Sequence, residues 1–244
     1  MKEFLKKFSI AVFLVRQVRN LFGVNEQMLS MKFHKKNSEK LIRKYLDRRV
    51  IKKLQIGAQS NLIDGWLNVD IIPKSNEVAL MDATKPFPFP SNSIDYIFTE
   101  HMIEHISFAE AKFMIAECFR VLKQNGKIRI STPNLAFLIG LYQSEKSIQQ
   151  QAYIDFSAAR YFPNEAPAED VYVINNFFKA WGHSFIHDIK SLSRLLITNG
   201  FSNIKQCEVL ESANEHFRGL EQHGKEIKIE FNKLESLIIE ATKQ

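Results

Sequence analysis

The stretch that decides the fold is "KLQIGAQSNLIDGWLNVDI", residues 53–71. "KLQIGA" (53–58) reads as a short strand ending at a glycine, and "WLNVDI" (66–71) as a second ending near an aspartate. Only about eight residues separate the two. A parallel crossover wants a dozen or more, so the first crossover helix must be a single turn or absent.

Outward from that stretch the texture continues. "VALMDA" (78–83) makes a third strand, and the three prolines of "TKPFPFP" forbid both helix and ladder after it. "IDYIFTE" (94–100) is a fourth strand. Ser107, with Glu110 three residues on, forms a capping box that opens a helix. Phe108, Ala111, Ile115, Cys118, Phe119 and Leu122 mark its apolar stripe. "KQNG" (123–126) is read as the stop of that helix, and "KIRIST" (127–132) as a fifth strand closed by Pro133. Residues 140–187 are less regular and rich in aromatics, an insertion of short helices and a loop. A helix over 188–201 ends at Gly200, and strands at 204–211 and 234–243 form an antiparallel pair. The expectation is an α/β fold: a doubly wound, mostly parallel seven-stranded sheet with helices on both faces. The domain spans 50–244, preceded by a basic amphipathic helical extension over 1–49.

Composition bounds the function. The 244 residues suffice for a sizeable core, and 45% apolar with 25% charged content excludes global disorder. The net charge is +6, and fifteen lysines and arginines fall within the first 53 residues. That flank suits an anionic partner or a solvated face. In residues 1–22, Phe4, Phe8, Ala11, Val15, Val18 and Phe22 share one helical face opposite Lys2, Lys6 and Arg16. This segment is too short to span a bilayer. It is read as packing on the domain or on a homodimer partner, with peripheral membrane contact as the alternative. Cys118 and Cys207 form neither a disulfide framework nor a metal pair and read as reduced core thiols of a cytoplasmic protein.

In an open α/β sheet the ligand lies beyond the carboxyl ends of the strands. Gly57-Ala58-Gln59, Asp70, Asp82-Ala83 and Glu100-His101 stand there, a set suited to a nucleoside. "KLQIGAQSNLIDGWLNVDI", "MDATKPFPFPSNSIDYIFTEHMIEHI" and "CFRVLKQNGKIRISTPNL" together resemble class I S-adenosylmethionine-dependent methyltransferases of the Rossmann-like kind. More narrowly, they resemble a family of bacterial methyltransferases associated with surface-polysaccharide genes. "NNFFKAWGHSFIHD", "LITNGF" and "GLEQHG" extend the likeness to about residues 50–243. The resemblance implies S-adenosyl-L-methionine as cofactor. Gly57 would let the backbone approach its amino-acid portion, Asp70 would accept from its ribose, and Asp82 and Ala83 would meet its adenine. Ala58, Gln59, Ile71 and Glu100 complete the cofactor-binding set, with Glu100 and His101 where the methyl group would face the acceptor. The sequence departs from the family in two places. After Gly57 come Ala58, Gln59, Ser60 and Asn61 where further glycines are usual, and Gln55 replaces the acid often found in the first strand.

"HMIEH" (101–105) also matches the H-x-x-E-H of inverted zincins, which place both histidines on one helix. Here His101 comes straight off a strand and the helix starts only after Ser107, so the letters are assigned to the acceptor-side loop. A histidine there suits general-base work because its ordinary pKa lies near the working pH. His101, His105 and His183 are the catalytic candidates. Asn176, Trp181 and His187 are candidates for the acceptor site, with Glu221 and His223 behind them, and no metal is assigned. The expected acceptor is a small molecule or a glycan hydroxyl. Nucleic acid is disfavoured because no N-P-P-Y or D-P-P-Y motif follows the fourth strand. The rival reading is a non-catalytic binding or scaffold protein on the same fold.

Overall fold

The structure, a computed structural model, describes residues 35–163, 167–223 and 227–244. The amphipathic face expected over residues 1–22 lies outside them. Seven strands form one sheet: β1 (Lys53–Ile56), β2 (Leu67–Asp70), β3 (Ala79–Leu80), β4 (Ile94–Glu100), β5 (Leu122–Pro133), β6 (Phe201–Cys207) and β7 (Ser236–Lys243). Their order is β3-β2-β1-β4-β5-β7-β6. The first five run parallel to their neighbours, and β7 runs antiparallel to both β5 and β6. The carboxyl ends of β1, β2 and β4 therefore open on one rim, as a doubly wound sheet requires. No helix lies between β1 and β2; two turns carry the chain across instead, in agreement with the short spacing.

A helix over residues 35–48, α1, is amphipathic and packs on the sheet. Its Ile42 is buried in the main core with Leu54, Val69 and Ala79. The Tyr45 hydroxyl accepts from Lys53 N–H at 2.8 Å and lies 3.0 Å from the Gly65 carbonyl. Ser38 Oγ accepts from Leu80 N–H. Helix α2 (Phe108–Val121) opens on the expected capping box, with Ser107 accepting from Glu110 N–H and the Glu110 side chain accepting in return. Its inward stripe is Ala111, Met114, Ile115, Cys118 and Val121, all buried.

Several boundaries differ from the sequence reading. Helix α2 ends at Val121, because Leu122 already has extended backbone and pairs with Ile94. The Asn-Gly pair forms an irregularity within β5 rather than a helix stop; Asn125 has φ 63° and a Cβ on Gly126 would meet the Lys123 carbonyl at 2.8 Å. Strand β3 is cut to two residues, since Asp82 turns the chain by accepting from Thr84 N–H and Oγ1. Strand β6 starts directly after Gly200 (φ 95°), and residues 208–211 leave the sheet to lend carbonyls to Arg129. A short helix, α7 (Ile229–Glu235), takes the start assigned to the last strand.

The middle segment folds as α3 (Leu135–Gly140), α4 (Ile148–Tyr161) and α5 (Asp170–Lys179). Leu138, Leu141, Tyr153, Ile154, Val173 and Phe177 give it a core of its own, closed by Phe231 of α7. Helix α6 (Ile189–Thr198), capped by Asp188, returns the chain to β6. Cys118 is fully buried, which pushes its thiol pKa far up. Cys207 lies half-buried on the edge strand and is not a core thiol. No helix among the described residues is long and apolar enough to cross a membrane.

Candidate active site

The strand ends enclose a cleft of about 490 Å³ whose walls include Gly57, Gln59, Asp70, Ile71, Asp82 and Ala83. That volume lies within the range of small-molecule sites. Gly57 has φ 78°, and a Cβ there would stand 2.7 and 2.8 Å from the Met102 side chain. Its N–H and that of Ala58 both donate to the Val69 carbonyl. This bond turns Ala58 into the core, where it is 1% exposed and outside the cleft lining. The Gln55 amide donates to the Asn61 carbonyl at 2.9 Å and holds the turn that replaces the usual glycine-rich loop.

Asp70 is 8% exposed, with one carboxylate oxygen accepting from Gln59 N–H and the other from Ile72 N–H, both at 2.8 Å. An ionised carboxylate offers about four acceptor positions, so each oxygen keeps one for a ligand. Asp82 commits Oδ1 to Thr84. Glu100, at the end of β4, accepts from Gln222 N–H and His223 N–H. It lines a second, polar cavity of about 190 Å³ shared with Gly57, Gln59, His101 and His223.

His101 belongs to both cavities. Its backbone has φ 45°, unusual for a non-glycine residue, and its N–H donates to the Ser131 carbonyl. Such strain tends to be kept where a side chain must be aimed. The ring Nδ1 lies 3.2 Å from Glu104 Oε1, while Nε2 is buried without a partner. Glu104 is fully buried, and its second oxygen accepts from Thr132 Oγ1 at 3.0 Å. Burial pulls the His101 pKa down, but the Glu104 hydrogen bond and charge outweigh it and leave the pKa raised. For Glu104, burial pushes up and the bond to His101 pulls further down, leaving the carboxyl below its usual range. The His223 ring lies 4.1 Å from that of His101, with its Nε2 2.8 Å from Glu235 Oε1. Glu235 in turn accepts from the buried Tyr153 hydroxyl, whose pKa burial and that carboxylate hold well above 10.

Residues 103–105 form a single 3-10 turn, so His101 and His105 do not share a helical face and the zincin arrangement is absent. His105 and Trp181 line the cleft beyond His101. The His183 ring meets His105 edge-to-face at 5.0 Å and Trp181 at 5.5 Å. Its Nδ1 is 2.6 Å from the Phe177 carbonyl, and burial lowers its pKa. The structure does not bring the remaining candidates there. His187 is fully buried between Phe108 and Phe185, with Nδ1 on Ser191 Oγ and a pKa lowered to about 4 by burial. Asn176 sits half-buried on α5, and neither cavity includes it. Glu221 is taken up in a buried ion pair with Arg129 at 2.6 Å. Glu104, Glu235 and Tyr153 were missed by the sequence reading. Only Glu104 carried a signal, its place three residues after His101.

Strand order and rim define a Rossmann-like fold with a cleft at the carboxyl ends of its strands. A family described as "Methyltransferase domain" matches residues 55–130, the segment from β1 to Ile130 of β5. No curated protein matches the chain. Among solved structures it is similar to a SAM-dependent methyltransferase from Archaeoglobus fulgidus, with 17% identity over 84% of this chain and 92% of that one, TM-score 0.48. An S-adenosylmethionine-dependent methyltransferase from Mesorhizobium loti shares 12% over 79% and 91%, TM-score 0.48. Haemonchus contortus phosphoethanolamine N-methyltransferase 2, in complex with S-adenosyl-L-methionine, shares 14% over 84% of this chain, TM-score 0.41, and this chain covers 52% of that one. The matched methyltransferase domain supports an S-adenosylmethionine-dependent methyltransferase, with S-adenosylmethionine as its cofactor.

Proposed function

We propose that this enzyme methylates a hydroxyl oxygen of a small polar acceptor, a sugar hydroxyl of surface-glycan metabolism being the favoured one. The observation that carries this reading is the unpartnered, buried Nε2 of His101 at the junction of the two cavities. S-adenosylmethionine supplies a methyl group on a sulfonium sulfur; attack by the acceptor oxygen forms the O–C bond, breaks the S–C bond and leaves S-adenosylhomocysteine. Asp70 would hold the ribose through its remaining acceptor positions, and Asp82 and Ala83 would border the adenine, with Ile71 in the same cleft wall. Gly57 admits the chain's own backbone close to the cofactor. His101 takes the hydroxyl proton on Nε2, with Glu104 fixing the ring and stabilising its cationic form. Trp181, 46% exposed in the cleft wall, offers an aromatic face for a sugar ring.

Alignment of nucleophile and methyl supplies most of the rate and the base a further factor of about 10²–10⁴. The test is His101→Ala with hydroxylated acceptors and radiolabelled cofactor. The expected result is a fall in turnover of about 10²–10⁴ with cofactor affinity retained. Unchanged turnover would remove His101 from the chemistry. Labelling of amine acceptors alone would replace the oxygen acceptor by nitrogen.

A further inference from the structure

Five of the seven histidines in the sequence, His101, His105, His183, His187 and His223, are gathered at this end of the sheet. At their centre lies the fully buried Glu104 carboxylate, which has His101 and Thr132 as partners and neither a lysine nor an arginine. A buried charge without a full counter-charge is costly.

One carboxylate oxygen of Glu104, one ring nitrogen of His105 and one of His183 all lie within 4.8 Å of one another. We propose that these three residues bind a single divalent transition-metal ion of the zinc class on the acceptor side of the cleft. Two imidazoles and one carboxylate are a donor set suited to zinc, cobalt or iron and unsuited to magnesium or calcium, which take oxygen ligands. The His183 ring is arranged as a ligand: Nδ1 faces the Phe177 carbonyl at 2.6 Å, so the proton lies there and Nε2 carries the lone pair. A backbone carbonyl on the far ring nitrogen is the usual support of a metal-bound histidine. The edge-to-face setting of His105 and His183 leaves the rings unstacked. Gly182, at φ 78°, has no side chain to fill the space beside His105 Nδ1, where its Cβ would come to 3.9 Å. Three protein ligands form the open kind of site, with a coordination position left for an exogenous oxygen. Because His105 lines the cleft, that position faces the acceptor.

The ion's role rests on the reading above: it would hold the acceptor hydroxyl and lower its pKa as it does that of bound water. Binding of the ion does not rest on that reading, and it is tested without activity. The full-length protein, stripped with a chelator, is titrated with Co²⁺ and its visible spectrum followed. One equivalent is expected to give the intense ligand-field bands of four- or five-coordinate Co²⁺, abolished by Zn²⁺. His105→Ala and His183→Ala each remove the bands, while His216→Ala, outside the cluster, keeps them. The weak spectrum of aqueous Co²⁺ throughout, or bands that survive both substitutions together, would overturn the site. Bands without methylation of any hydroxyl acceptor support the metal site and sink the acceptor reading. Full hydroxyl methylation by stripped protein that shows no bands upholds the acceptor reading and overturns this inference.

Discussion

Replacing Asp70 by Asn changes one atom and tests the cofactor end most directly. In the wild type each carboxylate oxygen receives one backbone N–H, from Gln59 and from Ile72, both at 2.8 Å. One acceptor position per oxygen is left, which the proposed contact would give to the two ribose hydroxyls. An Asn amide has one oxygen and one NH₂. Whichever way it turns, a donor faces a backbone donor at 2.8 Å, and one cofactor hydroxyl loses its acceptor. A hydrogen bond to a charged group contributes about 1.5–3 kcal/mol. At about 1.4 kcal/mol per tenfold, the cofactor should bind about 10- to 100-fold more weakly. The assay is calorimetric titration with S-adenosylmethionine and S-adenosylhomocysteine, after thermal unfolding has shown that the variant folds. A cofactor analogue lacking one ribose hydroxyl completes the cycle: it should bind the wild type more weakly than the parent compound and the variant about as well. Affinity of the folded variant within twofold of wild type would refute the assignment, and so would equal sensitivity of both proteins to the missing hydroxyl.

Three further outcomes are expected. Gly57→Ala and Gly65→Ala both place Ala at φ above 70°, at a cost of about 1–2 kcal/mol each. Only at Gly57 would the new Cβ strike Met102, whereas the nearest atom at Gly65 is Lys53 Nζ at 3.9 Å; chemical denaturation should therefore show similar backbone costs and calorimetry a cofactor loss for Gly57→Ala alone. His187, held neutral with a pKa of about 4, is protonated in the unfolded chain below about pH 6.5 but not in the folded one. Stability attached to it is present above pH 6.5 and lost as pH falls towards 4, by about 3 kcal/mol in all, so His187→Phe should flatten that part of the difference between the two denaturation profiles; parallel profiles would refute it. Arg129 is fully buried and joined to Glu221 at 2.6 Å and Glu240 at 2.5 Å. Arg129→Met should cost about 3–5 kcal/mol by stranding Glu221, with part of the loss recovered in the Arg129→Met/Glu221→Gln pair, and a loss below about 1 kcal/mol would show that the clamp is dispensable.

What the sequence made legible follows from range. Strands β1, β2 and β4 and helix α2 are each written in a few adjacent residues, through apolar runs, terminal glycines and the Ser107–Glu110 capping box. Their ends, with Gly57, Gln59, Asp70, Ile71, Asp82 and Ala83, meet on one cleft wall, because a parallel sheet puts successive carboxyl ends on the same rim. The acceptor side is held together differently. His101 meets Glu104 three residues on, but stacks against His223, and the Glu100 carboxylate that sets the His223 loop binds backbone N–H groups more than 120 residues away. Nothing local in "GLEQHG" says that Glu221 turns towards a buried arginine while His223, two positions on, turns towards Glu235. Nor does "WGHSFIHD" show that His183 reaches His105 while His187 is walled in by Phe108 and Phe185. The choice is made by the insertion's own core around Tyr153 and Phe177, which sets where residues 181–187 cross the rim. The five letters "HMIEH" thus match the zincin motif without its helical geometry. The strand end that sends His101 into the cleft prevents it from sharing a helical face with His105. The same 3-10 turn keeps Glu104 beneath both, so that His101 and His105 bear on one buried carboxylate from different sides.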